Sequence, residues 1–321
     1  MDDILLTVDN LVTEFSLKKG VLRAVDGISF DVKKAETFGI VGESGSGKSV
    51  TALSILRLNP SPLARTTGKI LFEGEDLLQK TEAEMRDIRG RKISMIFQEP
   101  MTSLNPSLTV ERQICETIRL HQRLGKKEAQ EKAIELLSLV GIPSPRERLM
   151  SYPHEFSGGM RQRVMIAIAL SCNPSLLLAD EPTTALDVST QSQFLDLLSE
   201  LIDRLKMSLV YITHDLYVTS QICKNVGVMY ASNFIERSST SELFRNPLHP
   251  YTQGLMKSIP NRKNKKKFLD PIKGVVCSLL APPTGCKFHP RCPSAIEKCS
   301  QVAPRLVEIE PGHHVSCHLF H

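Results

Sequence analysis

The sequence predicts an α/β fold with a mainly parallel core sheet, and three observations carry that expectation. Compact apolar runs at residues 37–41, 93–97, 176–179 and 208–213 have the length and composition of strands buried on both faces of a parallel sheet. Helix-period segments such as 193–205 alternate with them. A glycine-rich loop, residues 42–47, joins the first of these runs to a helix starting at Lys48.

Before the loop, residues 4–12 and 24–32 are short, rich in Val, Ile and Phe, and separated by the turn-like Lys18-Lys19-Gly20, which predicts an N-terminal antiparallel β subdomain. The run 37–41 then feeds the loop and a helix over 48–57. From Pro100 to Cys172 the pattern is almost entirely helical, clearest at 110–124 and 127–140, so a helical insertion is expected over about 100–172. Late strands follow at 225–230 and 234–238. Beyond about 250 the chain grows richer in Pro, Lys and Cys. It thus divides into a main domain, 1–250, and a small Cys-rich C-terminal module, 251–321.

At 321 residues the chain exceeds one ordinary domain and can bury a sizeable core. Its 41% hydrophobic and 23% charged content is that of a soluble globular protein, and a net charge of +5 is too mild to indicate nucleic acid as a partner. The dense basic run Arg262, Lys263, Lys265, Lys266 and Lys267 sits beside the expected boundary, where a solvated linker is favoured over contact with a polyanion or lipid headgroups. No stretch approaches the roughly 18 to 20 apolar residues of a membrane span, and the acidic start Met1-Asp2-Asp3 is unlike a secretory signal. The expected location is the cytoplasm, with any membrane role supplied by a partner. Cys115, Cys172 and Cys223 stand singly in apolar or helical surroundings, where inert buried thiols are the default.

Gly42-Glu43-Ser44-Gly45-Ser46-Gly47-Lys48-Ser49 fits G-x-x-x-x-G-K-[ST] between a buried strand and a helix start, with Val50 continuing the helix. The glycines let the backbone curl so that its N–H groups face phosphate oxygens, and the helix N-terminus adds positive potential. Lys48 then bridges the β- and γ-phosphates of ATP, and the Ser49 hydroxyl takes one position on Mg²⁺. Asp180 ends the run 176–179 at the C-terminal edge of a parallel sheet, where its carboxylate suits a hydrated Mg²⁺. Glu181 is the candidate general base for the attacking water, because Pro182-Thr183-Thr184 argues for a loop rather than a helix start. Ser157, Gly158 and Gly159 open a helix near Met160 and make a second anion-binding terminus.

The order Phe156-Ser157-Gly158-Gly159-Met160, the apolar strand, Asp180-Glu181-Pro182 and Asp187 resembles the signature, Walker B and D-loop series of ABC-transporter ATPases. That resemblance covers about residues 4 to 250 and implies an ABC cassette. It makes Gln98, between the strand 93–97 and Glu99-Pro100, the Q-loop glutamine that contacts Mg²⁺ or water. His214 becomes the switch histidine on the γ-phosphate, Phe15 the aromatic residue stacked on adenine, and Asp187 a residue that crosses a dimer interface. ATP would lie between Lys48 of one subunit and Ser157 of another in a head-to-tail dimer.

Residues 97–106, Tyr152-Pro153-His154-Glu155 and residues 246–252 look like the ATPase subunits of dipeptide and oligopeptide importers. The implied partners are a second ATPase subunit, identical or merely homologous, two transmembrane permease subunits and an extracytoplasmic solute-binding protein. The implied location is the cytoplasmic face of the membrane. Nickel or oligosaccharide import remains open as cargo, and a soluble non-transport ABC ATPase is the alternative from another class.

Cys286, Cys292, Cys299 and Cys317 follow C-x5-C-x6-C-x17-C. In a cytosolic chain four such thiols suit metal better than disulfides, but the spacing lacks the paired C-x2-C that would choose the metal. The resemblance to peptide-importer ATPases, some of which hold a [4Fe-4S] cluster, implies that cluster here. Metal-free thiols and zinc are the competing readings. Cys277 is left over, and His289, His313, His314 and His318 are possible substitute ligands.

Overall fold

The structure, a computed structural model, describes residues 3–98, 104–184, 186–259 and 272–320. Residues 99–103 of the run after Gln98, Ala185 and the basic run 262–267 lie outside the described residues. Contacts group the chain into two units. The first comprises Met1–Leu5, Lys33–Glu36 and Gln79–Val210, and the second Leu6–Val32, Thr37–Leu78 and Tyr211–His321.

In the first unit, the strands Ile93–Ile96 and Leu176–Asp180 pair in parallel, with Ile93 opposite Leu176 and Ile96 opposite Ala179. Leu176–Asp180 is buried at every position, as a continuous apolar run requires. Between these strands come the helices Val110–Gln122, Lys126–Leu139, Pro145–Arg148 and Gly158–Leu170, with no strand among the described residues from 104 to 170. Val110–Gln122 buries Val110, Ile114, Cys115 and Ile118 along one face. It starts where the Thr109 hydroxyl accepts the Arg112 N–H and stops at Arg123 in a left-handed conformation. Lys126–Leu139 turns Ala129, Ala133, Leu136 and Leu137 inward. Helix Glu82–Ile88 lacks a long apolar period; its start is set by a reciprocal pair in which Glu84 accepts the Thr81 N–H and Thr81 accepts that of Glu84.

In the second unit an antiparallel sheet runs in the order Gly20–Lys33, Ile4–Leu17, Ala64–Phe72, Glu75–Asp76. Leu6 faces Phe72 and Val8 faces Ile70; a register shift between Asp9 and Val12 then brings Phe15 opposite Ala64. Ala64–Phe72 carries little sequence signal, because Arg65-Thr66-Thr67-Gly68-Lys69 interrupts any apolar run. The other sheet of this unit is mixed, which corrects the mainly parallel expectation. Thr37–Val41 is parallel to Asn225–Tyr230, but Asn233–Ser239, His313–Val315 and Val307–Glu310 continue it antiparallel. The last two strands are four and three residues long, too short for periodicity to reveal. Residues 272–320, expected as a small module, thus share this unit with the N-terminal strands.

Phe30 stacks on Phe38 at 5.0 Å, and Phe234 meets both edge-on, which fixes the centre of this unit. A second aromatic group joins Tyr230, Tyr251 and Phe288 with centroids 4.9 to 5.4 Å apart, so the C-terminal residues are packed and not appended. The hairpin after Tyr230 turns on Ala231 and Ser232, both at positive φ (43° and 79°).

Candidate functional site

The phosphate loop lies wholly in the second unit. Thr37–Val41, buried at all positions, delivers the chain to residue 42, and helix Lys48–Ile55 carries it away. Two glycines set the curvature: a Cβ at Gly42 would sit 2.2 Å from the Met229 carbonyl oxygen, and one at Gly47, where φ is 103°, 2.2 Å from that of Ala24. Lys48 is only 4% exposed, and its Nζ donates to the carbonyls of Gly42 at 2.8 Å and Glu43 at 3.0 Å. Its ammonium is therefore held inside the loop's own curl. The Ser46 hydroxyl is buried without a hydrogen-bond partner, a state costing about 1–3 kcal/mol unless a ligand oxygen meets it. Ser44 and Gly45 are exposed at the rim, and Ser49 and Val50 are half-buried.

Residues far along the chain fix this loop. The Tyr251 hydroxyl accepts the Glu43 N–H at 3.0 Å, and the Ser232 N–H donates to the Ser46 carbonyl at 3.0 Å. Arg291 grips the Glu43 carboxylate with both terminal nitrogens, at 2.6 and 3.0 Å, while its guanidinium lies over the Tyr230 and Phe288 rings. The hydrogen bond that Arg291 donates to Glu43 raises the Arg291 pKa further. Lys287 donates to Asp26, Asn233 and the Ala231 carbonyl. None of these supports is signalled by local sequence, because each lies 54 to 261 residues from its partner.

The acidic residues and the signature turn lie wholly in the first unit. Asp180 is 6% exposed at the end of its strand. Glu181 follows at φ 43°, a left-handed conformation that costs a non-glycine residue about 1–2 kcal/mol and turns its side chain away from the strand line. The structure brings Gln98 to Glu181: Gln98 Nε2 donates to Glu181 Oε2 at 3.4 Å, and Thr184 Oγ1 donates to the same oxygen at 3.0 Å.

Ser157 caps the helix Gly158–Leu170 by accepting the Met160 N–H, and Asp187 caps Val188–Leu205 by accepting the N–H groups of Ser189 and Thr190. These bonds pull the Asp187 pKa down, those from Thr190 first. Ser157, Gly158, Gly159 and Asp187 line one open cavity of about 430 Å³. A Cβ at Gly159 would press on Thr190 Cγ2 at 3.0 Å, whereas Gly158 faces open space. Buried Gln162, whose Nε2 donates to the Pro182 carbonyl at 2.8 Å, ties the signature helix to the loop after Glu181.

Two further sequence candidates sit in the second unit. Phe15 is half-buried in Ile4–Leu17, and His214 is exposed between the wholly buried strand Ser208–Thr213 and the helix Leu216–Ile222.

The C-terminal thiols are gathered in the second unit. Burial pushes the Cys286 thiol up to about 11, and the neighbouring Cys299, Cys317 and Cys292 raise it further. Burial raises Cys292 and Cys317 as well, and the backbone of Phe288, Ser294 and Leu319 opposes the rise at Cys286, Cys292 and Cys317 respectively. Cys299 and Cys317 are buried and the other two half-buried.

Family models agree with this geometry. The one described as ABC transporter matches residues 25–184, and that described as oligopeptide/dipeptide transporter, C-terminal region, matches 235–299. A probable peptide ABC transporter ATP-binding protein of Sinorhizobium fredii is 53% identical over 98% of this chain and 95% of its own. The dipeptide transport ATP-binding protein DppD of Bacillus subtilis is 49% identical over 98% and 94%. A solved dimeric ATP-binding cassette in a post-hydrolysis state, bound to ADP and Pi, superposes with a TM-score of 0.65 at 26% identity, covering 73% of this chain and 98% of that one. On identity of this depth across nearly its whole length, the chain belongs to the ABC transporter family, in the group of dipeptide and oligopeptide transport ATP-binding proteins.

Proposed function

We propose that this chain is the ATP-hydrolysing subunit of an importer of dipeptides and oligopeptides. The Gln98–Glu181 pair carries the hydrolytic part of the reading, since it gives a half-buried strand-end carboxylate a partner able to orient water. Identity of 49% and 53% with peptide-transport relatives over 98% of the chain supports the cargo.

ATP is the substrate, with its phosphates on residues 42–49. Lys48 draws charge from the β- and γ-phosphates, and the buried Ser46 hydroxyl supplies a further donor. Ser49, Gln98 and Asp180 would hold Mg²⁺, which when bound neutralises charge on the phosphate oxygens. Glu181 takes a proton from water as that water's oxygen bonds to the γ-phosphorus; the bond from phosphorus to the bridging oxygen breaks, its electron pair stays on ADP, and inorganic phosphate is the second product. His214 contacts the γ-phosphate and Phe15 stacks on adenine. Ser157, Gly158, Gly159 and Asp187 serve the nucleotide of a second ATPase subunit, and their shared open cavity supports that duty.

Residues 1–250 form the ATP-binding domain, with its helical part over about 100–172, and residues 251–321 the peptide-importer extension. Two membrane subunits and a solute-binding protein complete the transporter. Those partners attach this subunit to the cytoplasmic face; among the described residues no helix is long and apolar enough to cross a membrane. Replacing Glu181 by Gln should leave ATP binding intact and lower hydrolysis by roughly 10²- to 10⁴-fold; a variant with normal turnover would refute the assignment.

Cys286, Cys292, Cys299 and Cys317 fit a [4Fe-4S] cluster, a redox-active group. The backbone next to three of the sulfurs favours the thiolate against the effect of burial, which suits cluster ligands. No three of these sulfurs lie within 4.8 Å of one another among the described residues, whereas tetrahedral zinc would need about 3.8 Å between each pair. Protein purified without oxygen should contain iron and acid-labile sulfide, and both should be lost on replacing Cys299 by Ser. Colourless, iron-free protein would sink this part of the reading.

A further inference from the structure

Apart from the cysteines and the nucleotide residues, a second group of ligating side chains sits where the C-terminal hairpin meets the helix Thr240–Arg245. The hairpin strands Val307–Glu310 and His313–Val315 are joined by Pro311 and Gly312, with Gly312 at φ 77°, the pairing of residues a type II turn requires. That turn sets Glu310 opposite His313. Glu242 enters from the first turn of the helix. One ligating atom from each of Glu242, Glu310 and His313 lies within 4.8 Å of the other two.

The hydrogen bonding shows which atoms remain to bind. His313 is 1% exposed, and its Nε2 is joined at 2.8 Å to Glu236 Oε1. Glu236, fully buried, also accepts the N–H groups of Leu248 at 2.7 Å and His249 at 2.9 Å, so its position is fixed. With Nε2–H donating to this carboxylate, the imidazole lone pair sits on Nδ1, and Nδ1 is buried with no partner. Glu242 repeats the pattern: Arg245 takes Oε2, and Oε1 is buried with no partner. Two acceptors are thus withdrawn from water beside a third carboxylate. A buried acceptor left unsatisfied is destabilising, and a cation between them removes that cost at both atoms.

We propose that Glu242, Glu310 and His313 bind a first-row divalent cation, zinc being the leading member, with Glu236 holding the imidazole from behind. A carboxylate on the far nitrogen of a metal-bound histidine is the usual device for fixing its tautomer and raising its basicity. One nitrogen and two carboxylate ligands suit zinc and its neighbours; magnesium and calcium take oxygen. The bound ion ties the hairpin 307–315 to the helix 240–245 and staples the antiparallel end of the sheet. It is separate from the cysteines, because its ligands are nitrogen and oxygen alone.

That ligand set gives the test. Full-length protein freed of loosely bound metal is titrated with Co²⁺ and followed in the visible and near-ultraviolet. The site should take up one Co²⁺ with weak d–d bands and without the intense sulfur-to-cobalt band of thiolate sites. Glu310→Gln, on an exposed residue whose loss leaves the core untouched, should weaken this binding by more than the roughly tenfold that loss of a supporting residue costs. Glu297→Gln, on the helix Glu297–Gln301, should leave it unchanged. Binding that shows only the thiolate band, no binding, or equal affinity in the Glu310→Gln variant would each overturn the site.

Discussion

The phosphate loop and the acid-and-signature loops are parts of one kind of chemistry, yet they are held in opposite ways. Residues 42–49 rest on Tyr251, Ser232 and Arg291, which the chain supplies roughly 200 residues later. Glu181, Asp187 and Ser157 are held by neighbours within a few residues, namely Thr184, Thr190 and Met160, with Gln98 on Glu181 and Gln162 on Pro182 as longer links inside the same unit. A loop fixed from afar takes its shape from whatever the distant segment is doing, whereas a loop fixed locally keeps its geometry with its own helix. In this molecule the distant segment carries the cysteines: Arg291 directly precedes Cys292 and closes on Glu43.

Arg291→Ala breaks the comparison at its strongest point. Arg291 is 5% exposed and Glu43 30%, so the lost double hydrogen bond leaves a half-buried carboxylate without its partner and removes the cover over Tyr230 and Phe288. The expected loss of stability is about 2 kcal/mol. ATP affinity should fall with it while the Glu181 chemistry on bound ATP is retained. Nucleotide titration and thermal unfolding check both parts; unchanged affinity in a destabilised protein would show that the phosphate loop keeps its shape without the C-terminal clamp.

The same contrast explains what was legible beforehand. The phosphate loop could be read from its own eight residues because glycine curvature, a buried strand and a helix start are local properties. Asp180 and Glu181 were legible because an apolar run has an end. Arg291, Tyr251 and Lys287 were not, since an arginine in a Cys-rich tail has no local pattern announcing that it will reach residue 43. The mixed sheet was hidden likewise: Val307–Glu310 and His313–Val315 are too short to show alternation, and they become strands only by pairing on Asn233–Ser239. Glu181 was found as a residue but its left-handed backbone was not, because that strain is imposed by the loop closing onto Thr184 and Gln162's hold on Pro182.

Gln162→Leu sharpens the local half of the comparison with a smaller effect. Gln162 is 1% exposed; Nε2 donates to the Pro182 carbonyl, while Oε1 is buried and unpartnered. Leucine keeps the volume, loses the one bond made, and also removes the atom that lacked one. The two changes oppose each other, so stability should move by no more than about 1 kcal/mol. Geometry should suffer more than stability, because the Pro182 carbonyl is then free and the turn that holds Glu181 at φ 43° loses its tie to the signature helix. Turnover should therefore fall severalfold, roughly the effect of a slight misplacement of a catalytic base, with ATP affinity unchanged. Steady-state hydrolysis beside nucleotide titration separates the outcomes. A fall in affinity with turnover intact would mean that Gln162 serves the nucleotide directly and that Thr184 and Gln98 hold Glu181 without it.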